Sequence, residues 1–373
     1  MECDVAVLGG GSGGYTAAIR TAQLGAKTVC IEREPELGGT CLRIGCIPTK
    51  AWVQTAYAIK EAGETFAKLG VKVGQPELDF ATANEWKAAV VKRLTQGVAG
   101  LFKANGVEWV KGSGKFKDPH TIAVEGGEDV TFKQAIIATG SFPLRPPING
   151  IDSAKCVDST GLLAQTEVPK RIVVLGGGII GCEFASILQR FGSEVTIVEM
   201  LPALIPQEDE EASKELAKQF QKRGIEVNLE TQCDRIEEVD GGLRVYFGGQ
   251  TKDCDLMLVA TGRGPLVEGL GLEEIGVDFD KKKGIAARPS PTSTRSATAP
   301  ATGNSRTRPF GRARWPLRTR SATKPSSTTE ACLGRSTPIR RSPPSGSPRA
   351  RRESSTATMW RREAFRLPPT DAL

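Results

Sequence analysis

One pattern occurs twice in this chain, and it restricts the fold more than any other feature. The first copy runs through Asp4-Val5-Ala6-Val7-Leu8 into Gly9-Gly10-Gly11-Ser12-Gly13-Gly14. A helical stretch to Leu24 follows, then the apolar run Thr28-Val29-Cys30-Ile31, ending at Glu32. The second copy runs through Arg171-Ile172-Val173-Val174-Leu175 into Gly176-Gly177-Gly178-Ile179-Ile180-Gly181. It continues as a helix to about Phe191 and as Glu194-Val195-Thr196-Ile197-Val198, ending at Glu199. In both copies the acid stands 18 positions after the last glycine. Continuous apolar strands alternating with helices predict parallel sheets covered on both faces, and hence an α/β chain with two Rossmann-like domains.

The glycines have separate tasks in such a unit. Gly9 and Gly176 permit the tight turn. Gly11 and Gly178 let the backbone approach a pyrophosphate. Gly14 and Gly181 let the helix pack closely on the strand, with its unsatisfied N–H groups and positive dipole end facing the phosphates. Glu32 and Glu199 accept hydrogen bonds from ribose hydroxyls. A carboxylate at Glu199 would repel a 2′-phosphate, which favours NAD over NADP. Two further apolar runs, Gln134–Ser141 and Asp255–Arg263, each contain Ala-Thr-Gly, at Ala138-Thr139-Gly140 and Ala260-Thr261-Gly262. Two closed units on one chain imply two bound dinucleotides, one able to pass electrons to the other.

Between Glu32 and the next helix lies Gly38-Gly39-Thr40-Cys41-Leu42-Arg43-Ile44-Gly45-Cys46-Ile47-Pro48-Thr49-Lys50. Cys41 and Cys46 are too widely spaced for a C-x-x-C redox motif. No second pair or histidine cluster accompanies them to build a zinc site, so no metal is expected. The spacing alone also suits two unrelated core cysteines. Their placement argues for reactivity, because they open a predicted helix running through Ala51–Tyr57, and a helix N-terminus lowers a thiol pKa. Cys30 and Cys182 fall in apolar stretches and read as inert core residues. Cys3, Cys156, Cys233, Cys254 and Cys332 have no partner motif.

The Gly-Gly-Thr-Cys-x-x-x-Gly-Cys-Ile-Pro-Thr-Lys segment resembles the redox signature of the pyridine nucleotide–disulfide oxidoreductases, and among them most resembles the dihydrolipoamide dehydrogenase branch. The resemblance covers about residues 1–286, with the family's motifs in order. It implies a flavoprotein oxidoreductase that takes electrons from a dithiol, such as dihydrolipoamide on a lipoyl carrier protein, through a Cys41–Cys46 disulfide and FAD to NAD. It assigns Gly9, Gly11, Gly14, Glu32, Gly114, Thr139, Gly140 and Ser141 to FAD. Gly176, Gly178, Gly181, Glu199 and Gly262 go to NAD. Cys41 would be the interchange thiol and Cys46 the thiol against the flavin. Lys50 would sit by the flavin and pair with Glu183. A glutathione reductase-like or mercuric reductase-like member is the alternative. The former is disfavoured by Glu199-Met200-Leu201-Pro202, which offers no basic residue for a 2′-phosphate. The latter is disfavoured because a C-terminal cysteine pair is expected there, and only Cys332 lies in that region.

Beyond Gly284-Ile285-Ala286 the resemblance stops. The family's Thr-x-x-Pro-x-x-Tyr-Ala-x-Gly-Asp motif is expected next, then a dimerisation domain bearing a His–Glu catalytic base; neither is legible. The one histidine, His120, sits in the surface turn Asp118-Pro119-His120-Thr121. Residues 287–373 hold 18 Lys and Arg against 4 Asp and Glu, whereas the whole chain carries +7, so the body is acidic and the tail basic. This Arg-, Pro- and Ser-rich tail predicts disorder. A shifted reading frame would explain it, in which case the product is a nucleotide-binding remnant. A genuine basic appendage for a polyanion is the other reading, but aromatics are sparse among its arginines and nucleic acid is not expected.

The expected organisation is therefore an FAD domain over 1–145, an NAD domain over 146–265, a return toward the first domain over 266–286, and the tail. The family's homodimer is in doubt, and activity is expected to be impaired. No apolar run reaches membrane-spanning length. The start at Met1 passes directly into a strand-like run without a signal-peptide pattern. A cytoplasmic location is expected.

Overall fold

The computed structural model describes residues 1–285 and 295–296. Its order begins β1 (Glu2–Leu8), α1 (Ser12–Gln23), β2 (Thr28–Glu32), α2 (Cys46–Lys60), α3 (Phe80–Ala104), β3 (Glu108–Lys111), β4 (Gly114–Asp118), β5 (Thr121–Val124), β6 (Val130–Ile137), β7 (Ser141–Pro143), β8 (Cys156–Val157) and α4 (Ser159–Leu163). It continues β9 (Arg171–Leu175), α5 (Ile179–Arg190), β10 (Glu194–Val198), α6 (Glu210–Lys222), β11 (Glu226–Asn228), β12 (Cys233–Val239), β13 (Gly242–Phe247), β14 (Gln250–Cys254), β15 (Leu256–Val259) and β16 (Arg263–Pro265). The last strands are β17 (Phe279–Asp280), β18 (Gly284–Ile285) and β19 (Arg295–Ser296).

The duplication read in the sequence is a duplication of topology. The first sheet has the order β3-β2-β1-β6, continued by the antiparallel β5 and β4; the second has the order β11-β10-β9-β15-β8. In each, the first strand of the unit is flanked by parallel neighbours, with Leu8 opposite Ile31 and Ile137, and Leu175 opposite Val198 and Val259. Such crossovers need helices on the faces, so the strands are buried and read as unbroken apolar runs. The antiparallel strands differ between the units: β5 and β4 extend the first sheet beyond β6, whereas β12-β13-β14 form a separate three-stranded sheet in the second. Strand β19 pairs in parallel with β6, Arg295 opposite Ile136, as β8 pairs with β15 in the second sheet. The absence of strand periodicity after residue 286 did not foretell this pairing, which is made by backbone groups and needs no side-chain pattern. The remaining tail readings, including Cys332, lie outside the described residues.

The chain returns to the first unit after β16. Val267, Leu270 and Leu272 bury themselves among Phe116, Ile122 and Phe132, and Phe116 N donates to Leu270 O at 2.8 Å. Helix α2 crosses the other way. Trp52, 1% exposed, lies in the second unit's core, with its ring 6.0 Å from Phe191, 6.4 Å from Phe184 and 5.3 Å from Phe80. Burying one aromatic this completely is worth roughly 3–5 kcal/mol relative to alanine, so α2 is anchored to both units.

Candidate active site

Each glycine turn is built as its spacing predicts, and the close contacts of the first and last glycines recur in both. Gly9 and Gly176 have φ of 105° and 109°, a region that side chains avoid. A Cβ at Gly14 would lie 1.7 Å from Gly9 O, and one at Gly181 would lie 2.0 Å from Gly176 O. These glycines answer to packing. The middle ones do not: Gly178 has nothing within 4 Å of a Cβ, and Gly11 has only Gly39 Cα at 3.6 Å. Open space at that position, beside the N-terminal end of a helix with no side-chain cap, fits a pyrophosphate. Glu32 and Glu199 are buried at the ends of β2 and just past β10, each bound to the turn beside it by Gly10 N (2.6 Å) and Gly177 N (2.5 Å). The donor sets therefore fit two dinucleotides.

The outer residues are placed less simply. Gly114 packs under β1 and β2: a Cβ would meet Leu8 at 2.5 Å and Ile31 at 3.3 Å, so packing accounts for its glycine. Thr139 Oγ1 donates to Leu266 O at 2.7 Å, and Leu266 N donates to Gly140 O at 3.0 Å, which fastens the returning segment. Ser141 takes Arg263 through Nε to its hydroxyl (2.9 Å) and Nη2 to its carbonyl (2.8 Å). Gly262, at φ 129°, has only Leu144 near a Cβ, at 3.8 Å.

The cysteine segment is clamped to the first glycine turn by the Gly11–Gly38 bridge and by Gly39, where a Cβ would stand 2.5 Å from Gly11 Cα. Cys41 lies in a single π-type turn, Thr40–Ile44, and Cys46 is the first residue of α2. The helix starts at Cys46, five residues before the run Ala51–Tyr57 read from sequence. Pro48 costs nothing in that first turn, where N–H groups lack intrahelical partners anyway, and Thr49 Oγ1 donates to Gly45 O at 2.7 Å. Gly45 is required because a Cβ would sit 2.8 Å from Thr40 O.

Cys41 and Cys46 are free thiols here, not the expected disulfide. Cys46 is exposed, and Cys41 is partly buried. Burial pushes the Cys41 thiol up to about 11; the adjacent Cys46 thiol adds to the rise, and a hydrogen bond from Ser12 opposes it. The lowered thiol pKa expected of a helix N-terminus is thus not found at Cys41. That residue precedes the helix, and desolvation outweighs other influences there. Cys30 and Cys182 are buried, and burial raises both thiols, Cys182 to about 12.

Lys50, four residues into α2, forms an ion pair and hydrogen bond with Glu183 on α5. With the lysine side chain more than half exposed, the pair contributes at most ~1 kcal/mol to stability; its consequence is where it holds the two groups. His120 lies in the β4–β5 turn, with Nδ1 3.2 Å from Phe132 O.

Sequence reading missed three residues. Arg43, between the cysteines, reaches Glu34 at 3.1 Å and so ties the redox turn to the loop after Glu32. Arg263 lies within electrostatic reach of Cys46 and Asp158, while burial lowers its pKa. Lys87 on α3 stands 4.5 Å over the Trp52 ring and donates to Leu163 O at the end of α4. Arg43 and Arg263 stand within or beside motif segments but at positions the motifs leave open, and a lone basic residue carries no signal of its own.

Comparison with known proteins agrees with this architecture. A family model described as "Pyridine nucleotide-disulphide oxidoreductase" matches residues 3–295. The chain is 44% identical over 290 residues to a mitochondrial dihydrolipoyl dehydrogenase of Pisum sativum, covering 75% of this chain and 58% of that protein. It is 44% identical over 294 residues to a leghemoglobin reductase of Vigna unguiculata (76% and 56%), and 43% identical over 289 residues to a dihydrolipoyl dehydrogenase of Geobacillus stearothermophilus (76% and 61%). It thus spans somewhat more than half the length of these curated relatives. Among solved structures, the HOCl-induced flavoprotein disulfide reductase RclA of Escherichia coli superposes with a TM-score of 0.69 at 30% identity, covering 76% of this chain and 62% of RclA.

Proposed function

The chain belongs to the pyridine nucleotide–disulphide oxidoreductase family, and from that premise we propose that it is a dihydrolipoyl dehydrogenase-like enzyme, oxidising a dithiol such as dihydrolipoamide on a lipoyl carrier with NAD as final acceptor. The observation that carries this reading is the position of the cysteine pair. It is clamped to one glycine turn by Gly11 and Gly38, and tied to the helix of the other by Lys50 and Glu183.

In this proposal FAD is held by Gly9, Gly11, Gly14, Glu32, Thr139, Gly140 and Ser141, with Gly114 beside the adenine. NAD is held by Gly176, Gly178, Gly181, Glu199 and Gly262. FAD, when bound, supplies the two-electron relay between thiols and NAD. Residues 1–145 form the first domain, 146–265 the second, and 266–286 the return.

The cysteines act by exchange. A substrate thiolate attacks Cys41 Sγ of the oxidised pair, breaking the Cys41–Cys46 bond and leaving Cys46 as thiolate. The second substrate thiol then displaces Cys41 from the mixed disulfide. The substrate leaves as a disulfide, and the chain keeps two thiols. Exposure of Cys46 leaves that thiol accessible to a planar ring. Lys50, fixed by Glu183, places a positive charge near the same helix end. Turnover is slow in this proposal, because the chain's one histidine is committed to the Phe132 carbonyl, and a missing acid–base group typically costs ~10²–10⁴-fold.

Among the described residues no helix is long and apolar enough to cross a membrane. A cytoplasmic setting is part of the proposal, although the Pisum relative is mitochondrial by name. A sister disulfide reductase with another substrate is the second reading, favoured by the likeness to RclA.

The test is the visible spectrum of the purified chain before and after dihydrolipoamide. A bound-flavin spectrum that gains a long-wavelength thiolate–flavin charge-transfer band is expected. Cys46→Ser should abolish the band and lower NAD-linked turnover by ~10³-fold or more. A colourless protein that added FAD does not restore would overturn the flavin assignment. A flavoprotein that dihydrolipoamide leaves oxidised would favour the sister reading.

A further inference from the structure

The two units close over their glycine turns with the same clasp. In the first, Gly10 N donates to Glu32 Oε2 and Glu34 N to Glu32 Oε1, at 2.6 and 3.0 Å. Leu37 presses on Gly10, where a Cβ would meet its Cδ2 at 2.6 Å, and Gly38 N donates to Gly10 O at 2.9 Å. In the second, Gly177 N donates to Glu199 Oε2 and Leu201 N to Glu199 Oε1, at 2.5 and 2.7 Å. Leu204 presses on Gly177 at the same 2.6 Å, and Ile205 N donates to Gly177 O at 2.8 Å.

The residue making the last bond has a positive φ in both units, 119° at Gly38 and 40° at Ile205. Glycine adopts this region freely; a β-branched residue there is a strained exception held by its surroundings. Ile205 is held on three sides. Its side chain packs against the second core, Leu204 O accepts from Ser213 Oγ at 2.5 Å, and its amide bonds the turn. Glu230, the other non-glycine residue with positive φ among the described residues, donates its amide to Leu201 O at 3.1 Å. Both strained residues therefore brace the loop that holds Glu199.

We propose that Ile205 is a positioning residue for nucleotide selectivity at the second site. Its left-handed backbone closes the clasp and keeps each Glu199 oxygen on a backbone amide. A carboxylate has about four lone-pair positions, so the acid retains acceptors for ribose hydroxyls while its fixed charge excludes a 2′-phosphate. The inference rests on reading this unit as a nicotinamide dinucleotide site.

The test measures NADH and NADPH binding to the full chain by nucleotide fluorescence. Ile205→Pro removes the amide donor and forces φ negative; Ile205→Gly keeps the donor and permits positive φ. I205P should bind NADH ~10-fold or more weakly, with the preference over NADPH narrowed to match. I205G should keep affinity and preference within about twofold, because glycine keeps both the amide donor and the positive φ. Flavin content serves as the folding control, since Gly38 closes the first clasp independently. If I205P does not fold, Leu201→Pro, at an exposed position, removes the donor to Glu199 Oε1 and should narrow the preference likewise. Unchanged preference in the folded proline variant, or a lost preference in I205G, overturns the inference. A wild-type chain that binds neither nucleotide instead overturns the site reading beneath it.

Discussion

In the first unit the segment that closes over the glycine turn runs on at once into the cysteine turn; in the second it runs out through exposed residues to α6. The clasps are equal in hydrogen bonds, yet one is closed by Gly38 and the other by Ile205. The difference lies in what comes next. After Gly38, the chain must pass Gly11 so closely that a Cβ on Gly39 would stand 2.5 Å from Gly11 Cα, and a side chain on Gly38 would meet Leu42 at 2.4 Å. Steric closeness and positive φ both demand glycine there. Ile205 is instead followed by Pro206 and Gln207, both exposed. The second unit bears only the conformational cost, on the order of 1–2 kcal/mol, and gains core contact from the side chain. Duplicated geometry thus selects the same residue only where the neighbouring contacts are also duplicated.

The comparison breaks first at Trp52, which belongs to the first unit in sequence and to the second unit's core in space. Trp52→Ala should destabilise the chain by ~3–5 kcal/mol. Because the ring joins both units, melting followed by flavin release and by far-ultraviolet circular dichroism should drop together. Two separated transitions, with only one shifted, would show that α2 does not couple the units.

Next in size are paired glycine substitutions. Gly14→Ala and Gly181→Ala each force a Cβ onto a carbonyl oxygen, at 1.7 and 2.0 Å, at a cost of ~1–3 kcal/mol or more from overpacking. G14A should lose flavin and keep NADH binding; G181A should do the reverse. Equal loss of both nucleotides from either variant would mean that the two sites are not independent.

The smallest effect is at the seam, where burial pushes the Lys87 ammonium down to about 8 from its ordinary 10.5. Between those values the unfolded chain holds a proton that the folded chain has released, so stability rises with pH across that window. The burial penalty is fully present below pH 8. Lys87→Met removes this dependence. The melting temperature of wild type minus variant should therefore climb from pH 8 toward 10.5. A flat difference would mean that Lys87 is not desolvated against Trp52.

Much of the molecule was legible without coordinates. Apolar runs, six glycines at fixed spacing and an acid 18 residues on determined two α/β units, because each of those glycines answers to a contact within its own unit or to an open approach. The Cys41–Cys46 segment was legible for the same reason: its glycines and threonine make local bonds. Tertiary structure alone decided what depends on distant partners. It placed Trp52 in the other unit's core, brought Lys50 against Glu183 across 133 positions, buried Cys41 enough to raise rather than lower its thiol, and gave β19 its place beside β6. It also set Ile205 in a conformation that no propensity would assign to isoleucine. Local spacing fixes backbone turns; desolvation, strain and cross-unit pairing arise only when segments distant in sequence pack together.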